Sequence, residues 1–125
     1  MYNKKIKQMQ KANKHIDLEY LKQISNGSNE FVFQMITVFT DEIPGEVENL
    51  EKHLKNKDWK SLRATAHKMK PSFSFMGVKQ LEEMVHSVEE FAEGKQDQLP
   101  SVIENIRTIT AEVVTELQEE KKKFM

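Results

Sequence analysis

The sequence predicts an all-α fold: an antiparallel four-helix bundle of up-down-up-down topology, with an additional N-terminal helix capping one end. Two observations predict it. Apolar residues recur at steps of three and four along almost the whole chain, the spacing of one helical stripe against a core. Only four glycines and three prolines punctuate 125 residues, and no run of alternating β-branched residues is bounded by turns. The length suits one domain with a single core.

Residues 1–14 are basic and polar, with Ile6 and Met9 as a weak amphipathic signal, so they read as an arm or a short helix before a bundle spanning residues 15–125. A first helix is expected from Asp17 to Ser25, stopped by Asn26-Gly27-Ser28-Asn29. A second begins near Asn29 or Glu30 and carries Val32, Met35 or Ile36, Phe39, Ile43, Val47, Leu50 and Leu54; its phase survives Pro44, which predicts one long, kinked helix. Asn56-Lys57-Asp58 makes a polar turn, with Asp58 as N-cap of the third helix. The third carries Trp59, Leu62, Ala66, Met69, Phe73 and Met76. After Gly77 a fourth bears Leu81, Met84 or Val85, Val88 and Phe91 and ends at Gly94. The last starts around Pro100, as a proline in a first turn does, and its stripe is Val102 or Ile103, Ile106, Ile109 or Thr110, Val113 and Leu117, before a charged Lys121-Lys122-Lys123 tail.

Composition excludes several functions. A formal net charge of −1 gives no electrostatic case for nucleic acid as the main partner. The absence of cysteine removes disulfides and thiolate metal sites. Lys4, Lys5 and Lys7 are not followed by an apolar block and no apolar run is long, so neither a secretory signal nor a spanning helix is expected. The expectation is a monomeric cytoplasmic protein or module, whose start equally suits the end of a longer protein's linker.

One segment points to chemistry. In Ala66-His67-Lys68-Met69-Lys70-Pro71-Ser72, His67 lies just off the apolar stripe, with Arg63, Lys70 and Ser74 on the same shoulder. The segment resembles the active-site helix of the histidine-containing phosphotransfer (HPt) domains of bacterial and eukaryotic phosphorelays, whose motif is a His followed three residues later by Lys, usually then Gly, and often introduced by Ala. Asp17-Leu18-Glu19-Tyr20-Leu21 with Gly27, Phe31 through Phe39, Ile43-Pro44 with Leu50, Asp58, and Met76-Gly77 with Leu81 resemble the family's pattern from about Asp17 onward. Pro71 departs from it, standing where the family usually has Gly.

The resemblance implies a carrier that takes a phosphoryl group on His67 from a receiver-domain aspartate and passes it to another receiver, with Mg²⁺ on the receiver and no cofactor here. The residues suit that role. Imidazole has an ordinary pKa near 6.5 and is a competent nucleophile at neutral pH. Lys70, one turn on, is the leading phosphate-stabilising residue and Arg63 a weaker one. The chain has no P-loop, no kinase-type glycine loop and no acidic cluster in sequence beside His67, so self-phosphorylation from ATP is not expected. Ala64, Lys68, Pro71, Ser74 and Phe75 are the partner-binding candidates, the small side chains letting another surface approach the ring. Phe75 suits an exposed anchor and packing against a neighbouring helix equally. The rival function is a phosphorylation-independent helical adaptor using the same face, which does not require the His67/Lys70 pair.

His15, His53 and His86 read as solvated surface side chains; Glu82 with His86 makes at most half a metal site. Pro71 deletes the hydrogen bond to the carbonyl of His67 and pushes against it, a cost of about 3 kcal/mol inside a helix. A helix end at Lys70 is one reading. Phase continuity from Trp59 through Met76 favours a kink.

Overall fold

The computed structural model describes residues 15–125, so the expected N-terminal arm or helix of residues 1–14 lies outside the described residues. Among the described residues there are five α-helices, two short 3-10 turns and no strand: α1 (Glu19–Ile24), α2 (Asn29–Lys55), α3 (Trp59–Phe75), α4 (Lys79–Gly94) and α5 (Leu99–Lys121), with turns at Gln96–Gln98 and Lys122–Phe124. Helices α2 to α5 form the bundle, in which α2 packs on α3 and α5, and α4 on α3 and α5. This is the predicted all-α architecture.

The ends of the helices follow local chemistry. Ser28 Oγ accepts from the Phe31 N–H at 3.1 Å and opens α2. Asp58 Oδ1 accepts from the Ser61 N–H at 3.2 Å and opens α3, as its sequence position predicts; hydrogen bonds from Ser61 hold its carboxyl below the usual range. Lys57 takes a left-handed φ of 54° at the intervening turn.

Both internal prolines are absorbed without a break. Pro44 lies within α2 and Pro71 within α3, each on an exposed face, so α3 does not end at Lys70. The burial of Leu62, Ala66, Met69, Phe73 and Met76 on one stripe outweighs the lost bond.

The open positions of the stripes resolve to Ile36, Val85, Ile103 and Thr110; Met35, Met84, Val102 and Ile109 pack at the margin. Thr110 is 3% exposed and its Oγ1 has no hydrogen-bond partner. At the charged tail Phe124 turns back onto the core, and Lys121 Nζ sits 5.3 Å from the Phe33 ring centroid. An apolar residue after three lysines draws the chain end inward.

One junction locks the capping segment to the end of α3. The Asp17 N–H donates to the Met76 carbonyl at 3.0 Å, beside Gly77 at φ +66°. A Cβ on Gly77 would lie 2.2 Å from the Asp17 carbonyl oxygen, so only glycine admits this crossing. Leu18 and Leu21 then bury over the bundle end.

Candidate functional site

His67 lies midway along α3 on the side facing α4, and its side chain is 77% exposed. It is held in place from α4: His67 Nδ1 is 2.8 Å from Glu89 Oε1. Glu89 is only 14% exposed, and its other oxygen, Oε2, accepts from Lys70 Nζ at 2.5 Å. Burial pushes the Glu89 carboxyl up, but the hydrogen bonds and charges of Lys70 and His67 outweigh it and hold the group below the usual carboxylate range. At neutral pH Glu89 is therefore an acceptor only, and the proton of this contact belongs to Nδ1. In the neutral ring this leaves the lone pair on Nε2, which makes no hydrogen bond among the described residues.

The predicted site residues fall into three groups. Lys70 is beside the ring as expected, but it is paired with Glu89 and also donates to His86 Nδ1 at 3.2 Å. Arg63, one turn before the ring, is paired with Glu93 of α4. Ala64, Lys68, Pro71 and Ser74 are exposed along α3 beside His67, with Lys68 reaching Glu46 of α2 at 3.1 Å and the Ser74 hydroxyl donating to Glu82. Phe75 is half-buried, its ring centroid 5.9 Å from that of Tyr20 in α1.

Three residues of the site escaped the sequence reading: Glu89, Glu93 and His86. Nothing acidic is near His67 in sequence, but the α3–α4 hairpin brings carboxylates to it. His86, expected to stand alone in solvent, is part of the Lys70–Glu89 network and lies 3.7 Å from Glu90. Glu82, its supposed metal-site partner, takes the Ser74 hydroxyl instead. His15 is also no free surface group: its side chain is 30% exposed and Nε2 is 2.9 Å from Glu112 of α5. His53 is half-buried. The contacts Ser74–Glu82, Lys70–His86, His67–Glu89 and Arg63–Glu93 span 8, 16, 22 and 30 residues, all centred on Val78. This one antiparallel register is the signal that finds them.

Among the described residues no group of three or more His, Asp or Glu side chains is arranged to hold a metal ion, and no helix is long and apolar enough to cross a membrane.

The fold has a known counterpart. The crystal structure of histidine-containing phosphotransfer protein B (HptB) from Pseudomonas aeruginosa PAO1 superposes with a TM-score of 0.80 and 25% sequence identity, covering 89% of this chain and 97% of that one. No match was found among curated protein sequences. The family model of the Hpt domain matches residues 34–120, which include α3, α4 and the whole network around His67. With that match spanning more than half of its length, the chain belongs to the Hpt domain family, the histidine phosphotransfer modules of two-component phosphorelays.

Proposed function

We propose that this chain carries a phosphoryl group on His67 Nε2, accepting it from the aspartyl phosphate of one receiver domain and delivering it to the aspartate of another. The observation that supports this most is the state of the ring: the side chain is 77% exposed, and Nδ1 is engaged by a carboxylate that leaves the Nε2 lone pair for attack. The rigid α3 scaffold presents that atom in fixed geometry.

In this reading the chain is a carrier and not an autonomous kinase, and the receiver brings Mg²⁺ and most of the catalytic apparatus. Lys70 turns from Glu89 toward the phosphoryl oxygens as they arrive, where these anionic acceptors compete with the carboxylate for its ammonium. Arg63 is a weaker contributor because Glu93 already engages it. The receiver docks along the exposed line Ala64, Lys68, Pro71 and Ser74, with Phe75 at its edge. Family membership and the ring geometry favour this reading over the adaptor, which has no use for an oriented imidazole.

The experiment is incubation with phosphorylated receiver domains. Acid-labile, alkali-stable label on this chain is expected, with none acquired from ATP and Mg²⁺ alone. Self-labelling from ATP, or no label from any competent receiver, would remove it from the carrier class.

A further inference from the structure

The contacts of His86 fix where its proton lies at rest. Lys70 Nζ is 3.2 Å from His86 Nδ1, and an ammonium has no lone pair to offer, so Nδ1 is the acceptor and the neutral ring carries its proton on Nε2. That proton faces Glu90 Oε1, 3.7 Å away. The same Nδ1 lies 3.7 Å from Glu89 Oε2, the oxygen that accepts from Lys70 at 2.5 Å. Two acceptors thus face each other, and the ammonium between them satisfies both.

The carrier role takes that ammonium away. When Lys70 moves to the phosphoryl oxygens, Glu89 Oε2, on a side chain only 14% exposed, is left opposite a lone pair, and a nearly buried carboxylate without its donor is costly. A proton on His86 Nδ1 removes the cost. The ring becomes an imidazolium, and the lone pair that opposed Oε2 becomes an N–H that donates to it. Closing from 3.7 Å to a charged hydrogen bond of about 2.8 Å is a small movement for a side chain 59% exposed. The proton comes from solvent and returns to it when Lys70 returns.

The surrounding charges leave Glu89 as the partner for that imidazolium. Across the cleft on α3 stand Lys60, Arg63 and His67, of which Arg63 is paired with Glu93. On α4, Glu82 and Glu83 lie one turn before His86, with Glu82 engaged by Ser74. Glu90 is 64% exposed, so water screens its attraction far more than that of Glu89.

We propose, on the reading that His67 is the acceptor, that His86 is a positioning residue that takes a proton on Nδ1 and replaces Lys70 at Glu89 Oε2. The lysine can then stay with the phosphoryl group while Glu89 stays ionised and in place. Loading His67 draws a proton onto His86, and by reciprocity a proton on His86 favours the loaded state.

The test takes the full chain with ¹⁵N-labelled histidine, loads it with phosphoramidate, a small donor that needs no receiver, and reads the ring shifts at a fixed pH of about 7. Before loading, the shifts should place the neutral His86 proton on Nε2; a proton on Nδ1 would overturn the inference. On phosphorylation of His67 the ratio of doubly protonated to neutral His86 should rise about tenfold, the size expected for one close, partly shielded charge pair. An unchanged ratio would sink it. Lys70→Met separates the exchange of partners from the field of the phosphoryl group. With Oε2 open to His86 from the start, its ratio should begin above that of wild type and gain no more than about threefold on loading. An equal gain in the two proteins would show the phosphoryl charge acting alone and would contradict the inference. His86→Gln, which cannot take a charge, should still accept label but about threefold more slowly from a phosphorylated receiver, and His86→Lys, which carries a charge throughout, should recover the wild-type rate. Equal rates in wild type and His86→Gln, or no recovery in His86→Lys, would also overturn it. Wild type that takes no phosphate on His67 sinks the carrier reading itself, an outcome distinct from phosphorylation that leaves His86 unchanged.

Discussion

Glu89 on α4 uses its two oxygens on two different residues of α3: Oε1 lies 2.8 Å from His67 Nδ1 and Oε2 2.5 Å from Lys70 Nζ. In the proposed carrier role, one carboxylate would thereby orient the nucleophile and park the cation that meets the incoming phosphoryl oxygens. The pairing gives Lys70 an anionic partner at rest, and on the proposed function phosphoryl transfer would require it to exchange that anion for another.

That exchange shapes the effect of Lys70→Ala. The lysine is 29% exposed and its partner 14%, so its removal leaves Glu89 short of a donor and should cost roughly 1 kcal/mol of stability. The larger effect should be on transfer, slowed by about tenfold or more because the interaction with the phosphoryl group strengthens as it moves. Chemical denaturation and single-turnover transfer from a phosphorylated receiver measure the two; unchanged transfer would remove lysine from the mechanism.

The lowered carboxyl of Glu89 predicts a pH dependence with a definite sign. Its folded-state pKa lies below the ordinary value of 4.5, so the stability it contributes is complete above that value and is lost as pH falls through the lowered one. Gln at this position cannot titrate. The stability difference between wild type and Glu89→Gln should therefore shift against the wild type on going from about pH 7 to about pH 3, read by urea denaturation at each pH. A difference constant across that range would contradict the assignment.

Gly77→Ala should be severe for a residue so far from the chemistry. A methyl group would sit 2.2 Å from the Asp17 carbonyl oxygen at a φ that alanine disfavours, so either the Asp17–Met76 bond or the turn must give way. We expect a loss of about 2 kcal/mol or more, seen as a lower Tm. The α3–α4 register depends on the same turn, so His67–Glu89 coupling should weaken with it.

How much of this was legible depended on whether the information was local. The stripe Leu62, Ala66, Met69, Phe73 and the cap Asp58 are properties of consecutive residues, and α3 formed where they predicted. Whether Val102 or Ile103, or Ile109 or Thr110, faced inward depended on the neighbouring helices, and Thr110 was chosen despite its unpaired hydroxyl. His67 and Lys70 could be singled out because their motif lies within one turn. Glu89 could not, because it lies 22 residues away and reaches the ring only through the hairpin about Val78. An equidistance argument about that turn would have paired 67 with 89 and 63 with 93. Phe124 was missed for a different reason: a lone aromatic after a lysine run carries no periodicity.

The most direct test is the position of the label. His67→Gln should remain folded, its Tm within the range of ordinary surface substitutions because the side chain is largely exposed, and should acquire no acid-labile phosphate from a phosphorylated receiver. Replacing His15, His53 or His86 in the same way should leave uptake in place. Label retained by folded His67→Gln, or lost on replacing one of the other three instead, would contradict the account.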